Sequence, residues 1–96
     1  MFDLTAFQRD LLYTVSSFAE PHGMKIKRSL QNHYEEEISN ARLYNNLGEL
    51  AERGLVRKGK LNDRANTYQI TRQGLRELRR RRQWENEYVP EGLVGT

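Results

Sequence analysis

Along the first part of the chain, apolar side chains return every three or four positions. Leu4, Phe7, Leu11, Leu12, Val15 and Phe18 fall on one face of a helix whose start carries Thr5 and Gln8, the two members of a capping box. The spacing predicts a first helix from about Ala6 to Ala19, ended by the breaker Pro21-His22-Gly23. Ile26, Leu30 and Tyr34 then recur every four residues and mark a shorter second helix, with Lys25, Lys27 and Arg28 on or near its polar side. Ser39 is a good N-cap for a third helix, with Ile38 and Leu43 at the two positions of a hydrophobic staple. The apolar stripe of that helix is Leu43, Leu47, Leu50 and Ala51, and Gly54 suits its left-handed end, with Leu55 able to pack on Leu50. Between the second and third helices lies a tight acidic turn, Glu35-Glu36-Glu37, so the pair reads as a helix-turn-helix.

From Leu55 to Thr71 the period changes to two. Val56 goes out, and Tyr68 and Ile70 come back, around Asn62-Asp63, which tolerate turn backbone angles. This hairpin is basic, through Arg57, Lys58, Lys60 and Arg64. Thr71 caps a last helix reaching about Tyr88, with Leu75, Leu78, Trp84, Tyr88 and Val89 as its apolar members, and Pro90 stops it. The expected architecture is mostly α with a small β-hairpin (α+β): a winged helix-turn-helix of three helices, a two-stranded wing and a C-terminal helix. Residues 1–89 form one domain with 90–96 as a frayed tail.

Composition narrows what such a domain does. At 96 residues, 36% hydrophobic and 30% charged, the chain supports one modest core that a partner copy would complete, so oligomerisation is expected. No apolar run approaches the roughly 18 residues of a membrane span, and the first residues lack a signal-peptide layout. A cytoplasmic, nucleoid-associated location follows as an expectation. With 0 cysteines there is no disulfide, thiolate metal site or thiol sensor. His22 and His33 have no carboxylate or second histidine at ligand spacing, so no metal, cofactor, small-molecule ligand or enzyme activity is expected, and His22 is assigned to ordering its turn.

The formal net charge of +3 is unevenly spread. Residues 53–82 carry 11 basic and 2 acidic side chains, whereas residues 1–52 carry 5 and 8. That central block favours a polyanion, with nucleic acid ahead of an anionic membrane.

Several segments also resemble a known family. Glu20-Pro21-His22-Gly23-Met24-Lys25-Ile26 is similar to the Pro-His-Gly-aromatic lead-in to the second helix of PadR-like winged-helix transcription regulators, with Met24 in place of the aromatic. Leu43-Tyr44, Leu47, Leu50 and Gly54-Leu55-Val56 resemble that family's recognition helix and exit, and Tyr68, Thr71 and Gly74 its wing return and last-helix start. The likeness is greatest to the short haloarchaeal members. It implies a homodimer that binds operator DNA and controls transcription. The single short C-terminal helix departs from the longer dimerising segment of many members.

Residue chemistry suggests how double-stranded DNA would be read. Opposite its leucines the third helix presents Ala41, Arg42, Asn45, Gly48, Glu49 and Glu52, with Asn46 flanking, a face suited to the major groove. Arg42 matches guanine O6 and N7, Asn45 or Asn46 matches adenine N6 and N7, and Ala41 can touch a thymine methyl. Ser39, Asn40 and the free N–H groups beside them, with Lys25, Lys27 and Arg28, suit phosphates. Arg57, Lys58, Lys60 and Arg64 would lay the wing on the backbone or in the minor groove. Gly48 either admits close approach to the groove or is a packing glycine, and Tyr44 is either a half-buried packing residue or a base contact. Arg79 to Arg82 form a solvated face, contact phosphates, or pair with a partner's acids. Leu75, Leu78, Trp84 and Tyr88, with part of helix 1, are the expected dimer contact, and a two-fold dimer would bind an inverted repeat. The alternative is a winged-helix module for protein or RNA partners.

Overall fold

The computed structural model describes residues 3–89. The helices are α1 (Ala6–Ser16), α2 (Gly23–Tyr34), α3 (Asn40–Glu52) and α4 (Arg72–Tyr88); the strands are β1 (Val56–Lys60) and β2 (Asn66–Ile70). The strands pair antiparallel in one register, from Val56 opposite Ile70 to Lys60 opposite Asn66. The segment Pro90–Thr96, expected as a frayed tail, lies outside the described residues. Among the described residues, no helix is long and apolar enough to cross a membrane.

Each boundary has a local cause. The Thr5 hydroxyl accepts from the Gln8 N–H and the Gln8 side chain accepts from the Thr5 N–H, completing the capping box of α1. The helix ends at Ser16, three residues earlier than expected, because the hydroxyls of Ser16 and Ser17 donate to the carbonyls of Tyr13 and Thr14 and compete for the last turn. His22 does order its turn, as the N-cap of α2: its Nδ1 accepts from the Lys25 N–H at 3.2 Å. His22 also bridges to Thr67, and the Tyr68 N–H donates to the Pro21 carbonyl at 2.8 Å, so the α1–α2 link runs along the free side of β2. The acidic turn is closed by Gln31, whose carbonyl accepts from Glu35 N–H and whose side-chain oxygen accepts from Ile38 N–H. Glu35 takes the left-handed conformation there (φ 57°). Ser39 caps α3 through the Arg42 N–H, and Gly54 (φ 77°) ends it with Leu55 N–H returning to the Leu50 carbonyl, a Schellman closure.

The core gathers Phe7, Leu11, Leu12 and Val15 of α1, Ile26 and Leu30 of α2, Leu43, Leu47 and Leu50 of α3, Tyr68 of β2 and Leu78 of α4, with Ile38, Leu55 and Val56. All three α3 leucines are 0% exposed. Thr71 locks wing to helix: its hydroxyl donates toward the Gly54 and Leu55 carbonyls and accepts from the Gly74 N–H. A Cβ on Gly74 would collide with the Leu55 carbonyl oxygen and come within 2.8 Å of Ile70 Cγ1. Substituting Gly74→Ala should therefore cost about 1–3 kcal/mol despite alanine's better helix propensity. Thermal unfolding checks this; a Tm equal to or above that of the parent would refute the close approach.

Tyr34 donates to Asp10 Oδ2 at 2.6 Å, joining α2 to α1. Burial, then the bond to Asp10 and its negative charge, push the phenol up to about 12. The proton is held more tightly in the folded chain than in the unfolded one, where the phenol titrates near 10. This contribution to stability is thus complete below pH 10 and is lost as pH rises toward 12. Ultraviolet titration of the folded protein should show one tyrosine ionising last, and Tyr34→Phe should remove that step; loss of a different step would contradict the assignment.

Candidate nucleic-acid interface

Burial of Leu43, Leu47 and Leu50 turns the other side of α3 to solvent, where Asn40, Ala41, Arg42, Asn45, Glu49 and Glu52 are exposed. The first turn of α3 holds no acidic residue, and its forward N–H groups add a partial positive charge to that end. Gly48 lies on this outer side, and a Cβ there would meet nothing within 4 Å. Within the chain, then, no neighbour needs that glycine for packing.

Two outward residues are less free than the sequence suggests. The Arg42 guanidinium lies over the Phe7 ring, 3.9 Å from its centroid. Stacking occupies the face of the guanidinium and leaves its in-plane N–H groups available. Asn46 is half-buried: its Oδ1 accepts from Gln8 Nε2 at 3.1 Å and its Nδ2 donates to the Arg42 carbonyl at 2.7 Å. Both ends of that carboxamide are engaged inside the chain, whereas no side-chain bond engages Asn45 among the described residues. Gln8 was legible only as a cap; its reach to α3, across 38 residues of sequence, leaves no local signature.

Tyr44 is 40% exposed, yet its ring lies against the backbone of Gly23, where an added Cβ would fall 2.5 Å from Tyr44 Oη. The glycine of the Pro-His-Gly lead-in is thus the floor on which an α3 side chain rests.

One cation is tied to the start of α3, and others lie on α2 and the wing. Lys27 Nζ donates to Asn40 Oδ1 at 2.7 Å and ties α2 to the first residue of the helix. Lys25 lies 4.5 Å over the Phe18 ring, and Arg28 is exposed with no acidic partner among the described residues. On the wing, Arg57 donates to Gln69 Oε1 at 2.6 Å across the strand pair. Lys58 and Arg64 are exposed without acidic partners among the described residues, and Lys60 stands 3.9 Å from Asp63, both side chains in solvent, a pairing of little strength. The wing tip is shaped by Asn62, whose Oδ1 accepts from the N–H groups of Arg64 and Ala65. Leu61 is exposed beside it, which the alternating pattern did not single out.

The proposed dimer residues do not form one face. Leu78 is only 7% exposed and belongs to the chain's own core, where α4 packs on α1, so it has almost no surface to offer a partner. Leu75 and Trp84 are two and a half turns apart and sit on opposite flanks of α4. Trp84 and Tyr88 do stay together, with ring centroids 4.7 Å apart and 47% and 69% of their surfaces exposed. Trp84 also borders a cleft of about 270 Å³ against Leu4, Arg9, Leu78 and Arg81. In the arginine run, Arg80 pairs with Glu77 at 3.4 Å, and Arg81 pairs with Glu85 at 3.3 Å while lying over the Trp84 ring. Arg79 and Arg82 face solvent without acidic partners among the described residues.

Known proteins share this fold. RosR of H. salinarum is 36% identical, with a TM-score of 0.88 over 93% of this chain and 80% of RosR. F93 from STIV, a winged-helix DNA-binding protein, shares the fold at 12% identity and a TM-score of 0.75, covering 94% of this chain and 98% of its own. A transcriptional regulator from Clostridium thermocellum does so at 18% and 0.67, over 85% and 87%. No curated protein sequence matches the chain. The profile of the PadR-like transcriptional regulator family matches residues 11–80, which includes the α2 lead-in, all of α3, the wing and the start of α4. The chain belongs to the PadR-like family of transcriptional regulators and is a winged-helix DNA-binding regulator.

Proposed function

We propose that the protein acts as a homodimer on an inverted-repeat operator, with the amino-terminal half of α3 in the major groove and the wing on the backbone or in the adjacent minor groove. One observation carries the reading: the exposed face of α3 presents Ala41, Arg42, Asn45 and the open Gly48, while its opposite face is fully buried. Arg42 and Asn45 are the base readers, for guanine and adenine, and Ala41 suits a thymine methyl. Ser39, Asn40, Lys25, Lys27 and Arg28 hold phosphates around them. Arg57, Lys58, Lys60 and Arg64 supply the wing's contacts. The role is regulatory, not catalytic, and a DNA-bound regulator belongs at the nucleoid.

Selection of bound sequences from a random duplex pool tests this directly. A palindromic consensus with half-sites about one DNA turn apart, roughly 34–36 Å, is expected. Equal binding to all duplexes would return the chain to the protein- or RNA-binding alternative.

Wing and helix should fail differently when altered. Lys60→Ala or Arg64→Ala should weaken binding to every sequence and flatten the salt dependence by about one unit of slope each. Arg42→Ala should cost about 1–3 kcal/mol and relax preference at one position per half-site. Titrations at several salt concentrations separate the two, and an Arg42→Ala loss shared equally by all duplexes would reassign that side chain to the backbone.

For the dimer, the exposed Trp84–Tyr88 pair and the adjoining Leu4 cleft are the contact that α4 offers to a second copy. Replacing both aromatics by alanine should leave a folded monomer in sedimentation analysis, with its operator affinity reduced to that of one half-site. A double variant that remains dimeric would place the interface elsewhere.

A further inference from the structure

We propose that Phe7 and Gln8, two consecutive α1 residues, are positioning residues that set the base preference of α3. The inference rests on the base-reading role of α3 proposed above. Gln8 is a polar side chain only 3% exposed, and its amide is fully engaged. Its oxygen accepts from the Thr5 N–H, while Nε2 donates to Asn46 Oδ1 at 3.1 Å and to Glu49 Oε2 at 2.6 Å. Asn46 and Glu49 are three residues apart, hence on successive turns along one flank of α3. One amide group therefore grips the helix at two levels and fixes its rotation about its own axis.

The grip extends to the reading face. Asn46, held by Gln8, donates to the Arg42 carbonyl, and the Arg42 guanidinium rests on Phe7, the neighbour of Gln8. Both the backbone and the side chain of Arg42 are thus referred to the first turn of α1. A free arginine loses rotamer entropy when immobilised, and a stacked one has met part of that cost before DNA arrives. Glu49 is held from its other side by Arg53 at 3.5 Å, and Arg53 donates to the Asp3 carbonyl at 3.2 Å, so the same turn is anchored twice to the residues that open α1.

In this arrangement Asn46 is a strut and Asn45 the reader. A leucine at position 8 would fill similar space yet remove both donors, leaving α3 seated by its leucines but free to roll by a small angle. Bidentate base contacts tolerate little of that, whereas phosphate contacts through long lysines and arginines tolerate more.

The test compares base-preference profiles from the random duplex pool, non-specific affinity and Tm for the full chain, Gln8→Leu, Asn46→Ala and the double variant. Gln8→Leu is expected to keep its non-specific affinity while discrimination of the best site from single-base variants falls about tenfold. Asn46→Ala should relax the same positions, with the double variant no worse than either single one. Should Gln8→Leu not fold, Gln8→Glu, which keeps the cap acceptor and loses the donors, replaces it; adding Glu49→Gln returns a donor to the contact with position 49 but not to Asn46, and should recover only part of the lost discrimination. A lowered Tm with an unaltered profile would make Gln8 a support of stability only and overturn the proposal. So would an Asn46→Ala profile that loses a base position Gln8→Leu retains, since Asn46 would then be a reader. If the unsubstituted protein shows no base preference at all, the reading of α3 falls first and this inference falls with it.

Discussion

The constraint on which the interface depends is the complete burial of one side of α3. Leu43, Leu47 and Leu50 are each 0% exposed, inserted among leucines of α1 and α2. Each such side chain withdraws enough apolar surface to be worth about 1.5–3 kcal/mol, so a rotation exposing even one of them would forfeit a sizeable part of a small domain's stability. Because a helix cannot bury one stripe without presenting the other, this packing decides which residues α3 offers to the proposed DNA interface. Ala41, Arg42, Asn45 and Gly48 face outward as a consequence of where the leucines lie, and the Gln8 bridge refines an angle that the leucines have already chosen.

The same economy governs the wing. A two-stranded hairpin alone is marginal in water, and this one is steadied at both ends. At its base Thr71 joins the end of α3 to the start of α4, and along β2 the Pro21 carbonyl and His22 pair with Tyr68 and Thr67. The α1–α2 link therefore serves two purposes, capping α2 and supporting the wing. The cations near the tip, Lys60 and Arg64, are carried by a braced hairpin with their side chains in solvent, which fits the phosphate contacts proposed for them.

Elements with strong local signals were legible in the sequence. The Thr5–Gln8 box, the Ser39 cap, the Gly54 exit and the Asn62 turn were all readable because each is decided within a few residues by hydrogen bonding or backbone sterics. The end of α1 falls three residues before the point the apolar period predicts, since Phe18 continues that period while the serine hydroxyls cut the helix short. The surroundings of Gly48 and Tyr44 have no local signature in the sequence: open space lies over the first, and the Gly23 backbone lies under the exposed second. Leu78 followed the apolar pattern of α4 equally with Trp84, and periodicity alone does not tell a residue that meets its own chain from one that faces outward. Asn45 and Asn46 are alike in sequence terms, and only the long-range partner Gln8 distinguishes them.

Electrostatics favours the proposed approach of α3 to DNA with its amino-terminal end leading. The first turn has no acid and its unpaired N–H groups point forward, whereas the outward acids, Glu49 and Glu52, sit at the opposite end. Acids near a helix carboxyl terminus oppose the macrodipole and cost about 0.3–1 kcal/mol, so their placement is not explained by helix stability. Glu49 is compensated by Arg53 and Gln8, while Glu52 has no cationic partner among the described residues. A helix lying flat along the groove would bring Glu52 toward phosphates; one tilted with Ser39 to Asn45 leading keeps it away. In the proposed complex, the gradient of charge along α3 therefore favours a tilt with Ser39 leading, while the buried leucines, refined by the Gln8 bridge, decide which side of the helix is turned outward.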